Sequence, residues 1–141
     1  MTDDSYEVFA IRYASLQART RRETFLMVDP HDVAPCPIDY YVWVIRNARR
    51  TIVVDTGFDV EEGRARGRVI ERLPREGLAM LGIDAAAVQD VVISHLHYDH
   101  TGTCADFGAA RFHLQEAEMA YATGRCMGYA HLRQPYTVEH V

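Results

Sequence analysis

Apolar residues in this chain come in short runs punctuated by turn-forming residues, and the runs predict an alternation of strands and helices. Tyr6–Tyr13 alternates loosely and reads as a strand, and Phe25–Val28 is a second short apolar run. Asp29-Pro30-His31-Asp32 reads as a turn, and Pro35-Cys36-Pro37 as an irregular approach to the next strand. Tyr40–Ile45 and Thr51–Asp55, with Arg46–Arg50 between them, predict a hairpin. Glu61–Arg68 is charged and poorly patterned, and its two glycines weaken any helix there. Pro74 opens a helix that buries Leu78 and Leu81 and ends near Gly82, and Asp84 caps a turn over Ala85–Val88. The β-branched run Val91-Val92-Ile93 reads as a buried strand. Arg111–Leu114 predicts another strand, and Glu116–Ala122 a helix stopped by Gly124. No repeat or low-complexity segment interrupts this order, so the expected class is α/β in a single domain.

Composition narrows the function. A chain of 141 residues at 48% hydrophobic can bury one core. The net charge is −5, and the basic residues are dispersed except for Arg19, Arg21 and Arg22, which read as a solvated turn with Thr20 and Glu23. Nucleic-acid binding needs a basic face, so no nucleic-acid partner is expected. Met1-Thr2-Asp3-Asp4 has neither the positive region nor the apolar core of a signal peptide, and no apolar run approaches a membrane span. Cys36, Cys104 and Cys126 are far apart and odd in number, which suggests reduced thiols in a cytoplasmic protein. Cys104, four residues past His100, reads as a packed thiol at the start of a helical turn.

The chemistry concentrates in six residues, His95-Leu96-His97-Tyr98-Asp99-His100. Random placement would give this spacing in about one such chain in a thousand. The cluster follows a strand, and Thr101-Gly102 after it reads as a turn, so it occupies a loop where binding sites in α/β sheets tend to lie. In extended chain His95, His97 and Asp99 point to one side, and Gly102 would help the backbone turn so that His100 converges with them. Two ions suit four ligands from so short a segment better than one: His95 and His97 on the first, Asp99 and His100 on the second. Imidazole and carboxylate ligands suit two divalent ions, zinc first, with iron, manganese or cobalt as alternatives. Tyr98 falls on the opposite side, and packing is its expected task. His113, in a predicted strand, reads as a structural histidine. His131 and His140 read as solvated tail residues, and His31 beside Asp32 as a turn pair.

His95-Leu96-His97-Tyr98-Asp99-His100-Thr101-Gly102 resembles the metal-binding motif of the metallo-β-lactamase-fold hydrolases. Tyr40–Ile45 and Thr51-Ile52-Val53-Val54-Asp55-Thr56-Gly57-Phe58-Asp59 resemble that fold's early hairpin and its Asp-Thr-Gly loop. Tyr6–Tyr13 and Ser94–Gly102 look most like N-acyl-homoserine lactonases. Diiron electron-transfer relatives commonly carry Glu at the second His position, and His97 here favours a hydrolase. Asp55 ends an apolar strand; the resemblance favours its accepting an N–H from a ligating imidazole over bonding its own turn.

The resemblance implies an αβ/βα sandwich. Residues 1–141 would supply its N-terminal half, one mixed β-sheet with flanking helices, as part of a single domain. Family members carry a further His, a bridging Asp and a final His downstream of the motif, and this chain ends at Val141 without them. The implied activity is opening of an N-acyl-homoserine lactone ring by a metal-bound hydroxide, with Asp99 also passing a proton to the leaving oxygen. The substrate is then a small lactone or other ester, and the expected partner is a C-terminal segment or a second copy. The rival readings are a glyoxalase-like thioester hydrolase and a non-catalytic metal-binding or interaction module.

Overall fold

Six strands form one sheet in the computed structural model, which describes residues 5–27 and 30–141. They are β1 (Glu7–Leu16), β2 (Ile38–Arg46), β3 (Thr51–Val54), β4 (Val69–Ile70), β5 (Asp90–Val92) and β6 (Arg111–His113). The spatial order is β4-β1-β2-β3-β5-β6. β4, β1, β2 and β3 pair antiparallel, whereas β3, β5 and β6 pair parallel, so the sheet is mixed, as expected. The helices are α1 (Arg21–Thr24), α2 (Val60–Ala65), α3 (Pro74–Met80), α4 (Tyr98–Thr101), α5 (Glu116–Ala122) and α6 (Ala130–Arg133). Among the described residues no helix is long and apolar enough to cross a membrane. The expectation for Met1–Asp4 lies outside the described residues, as do Val28 and Asp29 in theirs.

The period-2 pattern explains the sheet's two faces. Ile11, Val42, Val44, Val53 and Val91 alternate inward and are buried, and Leu78 of α3 joins their cluster. The opposite face carries Val8, Tyr41, Trp43 and Val92, all exposed apolar residues. Cross-strand register joins Val8 to Ile45, Ala10 to Trp43, Trp43 to Val54 and Val54 to Val92, so this face is one continuous surface.

The described part of the short apolar run Phe25–Val28 lies outside the core: Phe25, Leu26 and Met27 are exposed. They follow the short α1, which Glu23 closes by accepting from Thr20 N and Oγ1, both at 2.8 Å, and Arg21 lies over the Phe25 ring. The charged Glu61–Arg68 segment does form a helix, α2. Asp59 caps it by accepting from Glu62 N at 2.8 Å, which satisfies a backbone donor at its start. Gly63 is required by space: a Cβ there would stand 2.8 Å from both Ile70 and Phe58.

Asp90 opens β5 with a buried carboxylate that accepts from His113 Nε2 at 2.9 Å, Arg50 Nη2 at 3.0 Å and Arg111 Nη2 at 3.3 Å. His113 is thereby a structural residue. Hydrogen bonds from His113 and Arg50 outweigh burial and hold the Asp90 carboxyl down to about 2. A carboxyl lowered by folding contributes stability above its unfolded value, about 3.9. That contribution is lost as pH falls through the folded value. The urea midpoint should therefore decline from about pH 4 towards pH 2, and Asp90→Asn should flatten that decline. An unchanged profile in the variant would show that Asp90 is not the titrating group.

Candidate metal centre

Because β3 and β5 are parallel neighbours, their C-terminal ends lie side by side and release two loops at one edge. Asp55 leaves β3 at φ 64°, a left-handed conformation uncommon outside glycine, while its N–H donates to Val92 O at 2.8 Å. Its carboxylate accepts from Ser94 N at 2.7 Å and Ser94 Oγ at 2.8 Å, and stands 2.7 Å from His100 Nδ1. Thr56 continues the clamp, donating from N (2.8 Å) and Oγ1 (3.1 Å) to the His100 carbonyl.

The loops touch through backbone. Gly102 N donates to Gly57 O at 2.7 Å, and a Cβ on Gly102 would meet Phe58 Cα at 2.8 Å. Gly102 itself has helical angles, φ −72° and ψ −16°. It supplies room for a crossing chain, and the expectation that its backbone freedom makes the turn is corrected. Gly102→Ala should force the loops apart and cost about 1–3 kcal/mol, the range for overpacking. Chemical denaturation measures this, and an unchanged midpoint would mean the loops separate freely.

From beneath, a bulge in β1 between Arg12 and Ala14 accommodates Tyr13. Its ring is buried against Phe58, and its hydroxyl donates to the Asp99 carbonyl at 3.0 Å.

On this support the chain passes through His95, Leu96 and His97 and then enters α4, which carries Tyr98, Asp99 and His100. The helical turn brings His100 back beneath His95. Their ring centroids lie 3.9 Å apart, those of His95 and His97 4.3 Å apart, and His100 Nε2 stands 3.5 Å from Asp99 Oδ2. Tyr98 is buried and stacks on Phe58. Cys104 begins a short 3₁₀ turn, with its thiol 3.6 Å from Thr56 Oγ1.

The electrostatics separate the histidines. Burial holds His95 below its ordinary value, reinforced by the charge of His100; burial and His95 do the same to His97. Both are neutral imidazoles with lone pairs to offer. Burial alone would lower His100 too, but hydrogen bonds with Asp55 and Asp99 overcome it and hold His100 up to about 9. For Asp99 burial acts upward, and the contacts with His100 more than offset it, leaving the carboxyl below its ordinary value.

Ser94, Glu118 and Tyr136 were not foreseen at the site. Ser94 Oγ lies 3.0 Å from His95 Nδ1 and 3.3 Å from His100 Nδ1. Glu118 of α5 accepts from Leu96 N at 2.9 Å and from the Tyr136 hydroxyl at 3.0 Å. Burial and Glu118 push the Tyr136 phenol up to about 12. The Tyr136 ring lies edge-on to His97, and Tyr98 N donates to Pro135 O at 2.8 Å. The C-terminal segment thus returns across the cluster. His140, expected in solvent, is half-buried with Nδ1 unpartnered, whereas His131 is exposed beside a cavity of about 620 Å³. That cavity reaches His97 and Asp99.

Among the described residues no three His, Cys, Asp or Glu side chains stand arranged to hold a metal ion as they are. The donor chemistry still fits one. Two ligands of a tetrahedral zinc stand about 3.3 Å apart, close to the 3.5 Å between His100 Nε2 and Asp99 Oδ2. Nδ1 of His95 and of His100 face protein partners, which leaves Nε2 of each for an ion.

A search of curated proteins finds no match. Among solved structures, a probable metal-dependent hydrolase from Staphylococcus aureus superposes with a TM-score of 0.72 at 13% identity, over 99% of this chain and 56% of its own. A quorum-quenching N-acyl homoserine lactone lactonase gives 0.66 at 18% identity, over 99% and 54%. An N-acyl homoserine lactone hydrolase, solved with N-hexanoyl-L-homoserine at its catalytic metal centre, gives 0.65 at 16%, over 99% and 56%. The chain therefore spans about half the length of these structures, and at such identities the likeness speaks for the fold alone. The sequence model of the metallo-beta-lactamase superfamily matches residues 37–137, which hold both the hairpin and the His-rich loop, and the chain belongs to that superfamily.

Proposed function

We propose that this chain carries half of the catalytic site of a metal-dependent hydrolase that opens the ring of N-acyl-homoserine lactones. The observation that supports this most is the meeting of three imidazoles and Asp99 at a strand-end loop, with His100 tied to Asp55 at 2.7 Å. His95 and His97 would hold one divalent ion, and Asp99 and His100 a second. Zinc suits these ligands best, and iron, manganese or cobalt would also be accepted. When bound, such ions polarise a carbonyl and lower the pKa of water. Asp55, 2.7 Å from His100 Nδ1, fixes that ring and would leave Nε2 to hold the ion. Asp99 takes a proton from the attacking water and delivers it to the leaving ring oxygen. Water thereby adds across the acyl C–O bond, giving an alcohol and a carboxylic acid that releases its proton to solvent and leaves as the carboxylate.

In the same reading, the exposed face around Trp43 is covered by a further C-terminal segment that also completes the ligand sets. Three separated cysteines without a disulfide among the described residues support a cytoplasmic protein in this reading. The test is turnover by the complete, zinc-loaded protein on matched lactone and thioester substrates. Lactone ring opening is expected. Turnover of thioesters alone would select the glyoxalase-like reading, and no turnover of either, with both ions held, would leave a metal-binding module.

A further inference from the structure

The cavity beside His97 and Asp99 holds charge that the hydrolytic chemistry does not use. Arg19, Arg66 and Arg68 all line it, in a chain whose net charge is −5. Arg66 is neutralised by Glu62 at 2.5 Å and lies over the Tyr98 ring. Arg19 and Arg68 are different. Arg19 is half-buried and spends Nε on Thr24 Oγ1 (2.8 Å) and Nη2 on the Glu23 carbonyl (2.8 Å), both neutral acceptors. Arg68, also half-buried, donates from Nε to the Tyr98 hydroxyl (3.1 Å) and from Nη1 to the Arg66 carbonyl (2.7 Å), again neutral.

Among the described residues neither guanidinium forms an ion pair. Of the cavity's two carboxylates, Asp99 stands 3.5 Å from His100, and Glu23 accepts from Thr20 at 2.8 Å while feeling the charge of both Arg19 and Arg68. Glu23 supplies one negative charge against these two guanidinium groups, so burial has cost both cations hydration and left the pair with a surplus positive charge. The sequence reading of Arg19 as part of a solvated turn is corrected here.

We propose that Arg19 and Arg68 form a subsite for an anionic group on the substrate, a carboxylate or a phosphate, whose scissile carbonyl lies at the His/Asp cluster. This rests on the hydrolase reading and deepens it: the preferred substrate is a charged ester or lactone rather than a purely aliphatic one. Nη2 of Arg68 has no protein acceptor among the described residues, and a guanidinium binds a carboxylate or phosphate with charge-assisted hydrogen bonds. Arg68 bonds to Tyr98, the residue between His97 and Asp99, so the anion site and the cluster share one loop.

The experiment has two arms. In the first, the complete zinc-loaded protein hydrolyses N-succinyl-homoserine lactone and its uncharged isostere, the N-succinamoyl lactone. The kcat/KM ratio should favour the charged compound by about tenfold or more and fall towards one in Arg68→Met and in Arg19→Met. In the second, succinate and, separately, inorganic phosphate are titrated calorimetrically into metal-free protein, so that no ion can bind them. At least one should bind, about tenfold more weakly in each variant. Circular dichroism verifies that the variants fold, and the two substitutions are independent. A ratio near one in the wild type, or anion binding unchanged in both variants, would overturn the proposal. If neither lactone is hydrolysed, the hydrolase reading fails, and the titrations alone decide whether the subsite exists: binding lost in the variants upholds it, and no binding by the wild type rejects it.

Discussion

Asp55→Asn is expected to lower metal affinity by about 10–100-fold, the range for groups that orient a ligating histidine, while the fold survives. The carboxylate accepts from both Ser94 N and Ser94 Oγ and meets His100 Nδ1 at 2.7 Å, so both of its oxygens are used. An amide of the same shape has only one acceptor oxygen, and its NH₂ must face either Ser94 or His100. It also removes the negative charge that fixes the His100 N–H towards Asp55 and so leaves Nε2 for the ion. The strained φ of 64° at this position is tolerated by Asn as well as by Asp, so the backbone has no reason to rearrange. Zinc titration reads the affinity and circular dichroism the fold. Wild-type affinity in Asp55→Asn would reduce Asp55 to a turn residue.

The second large effect concerns the outer face of the sheet. Val8 is 61% exposed and Trp43 42%, and the register links them with Ile45, Ile52, Val54 and Val92 into one apolar surface. A contiguous surface of this kind calls for a cover. Residues 1–141 alone should therefore run as a dimer or larger species in size-exclusion chromatography with light scattering. Trp43→Lys should shift that species towards monomer without unfolding it, because the side chain lies outside the core. Adding the C-terminal segment proposed above to cover this face should have the same effect on the unmodified chain. A monodisperse monomer of the unmodified chain at micromolar concentration would mean that the face needs no partner.

The parts of this structure legible in the sequence are those fixed by local pattern. The hairpin, the start of α3 at Pro74 and the limits of α5 follow from alternation, capping and chain breakers, which act within a few residues. α2 was missed because its stability comes from the Asp59 cap and from Gly63 packing against Phe58 and Ile70, none of which the charge pattern reveals. The exposure of Phe25–Met27 is not marked in the sequence, because an apolar run carries no information about whether the chain returns to cover it. At the site, the His-rich spacing was conspicuous, and Asp55 could be suspected from its place at a strand end. Ser94, Tyr13, Glu118 and Tyr136 act across 22 to 86 residues or through a single hydroxyl, and no local pattern marks them. The signal that could have found Ser94 is its place beside His95, at the exit of a predicted strand.

In the proposed site His95, His97, Asp99 and His100 divide between two ions. Metal counting on the complete protein, with wild type, His97→Ala and Asp99→Ala prepared alike, tests it most directly. The wild type should hold two ions per chain. His97→Ala should lose the first and keep most of the second, and Asp99→Ala should do the reverse. Equal and total loss of both ions from each variant would contradict the two-and-two division, and full occupancy in both would mean that the cluster is not the metal site.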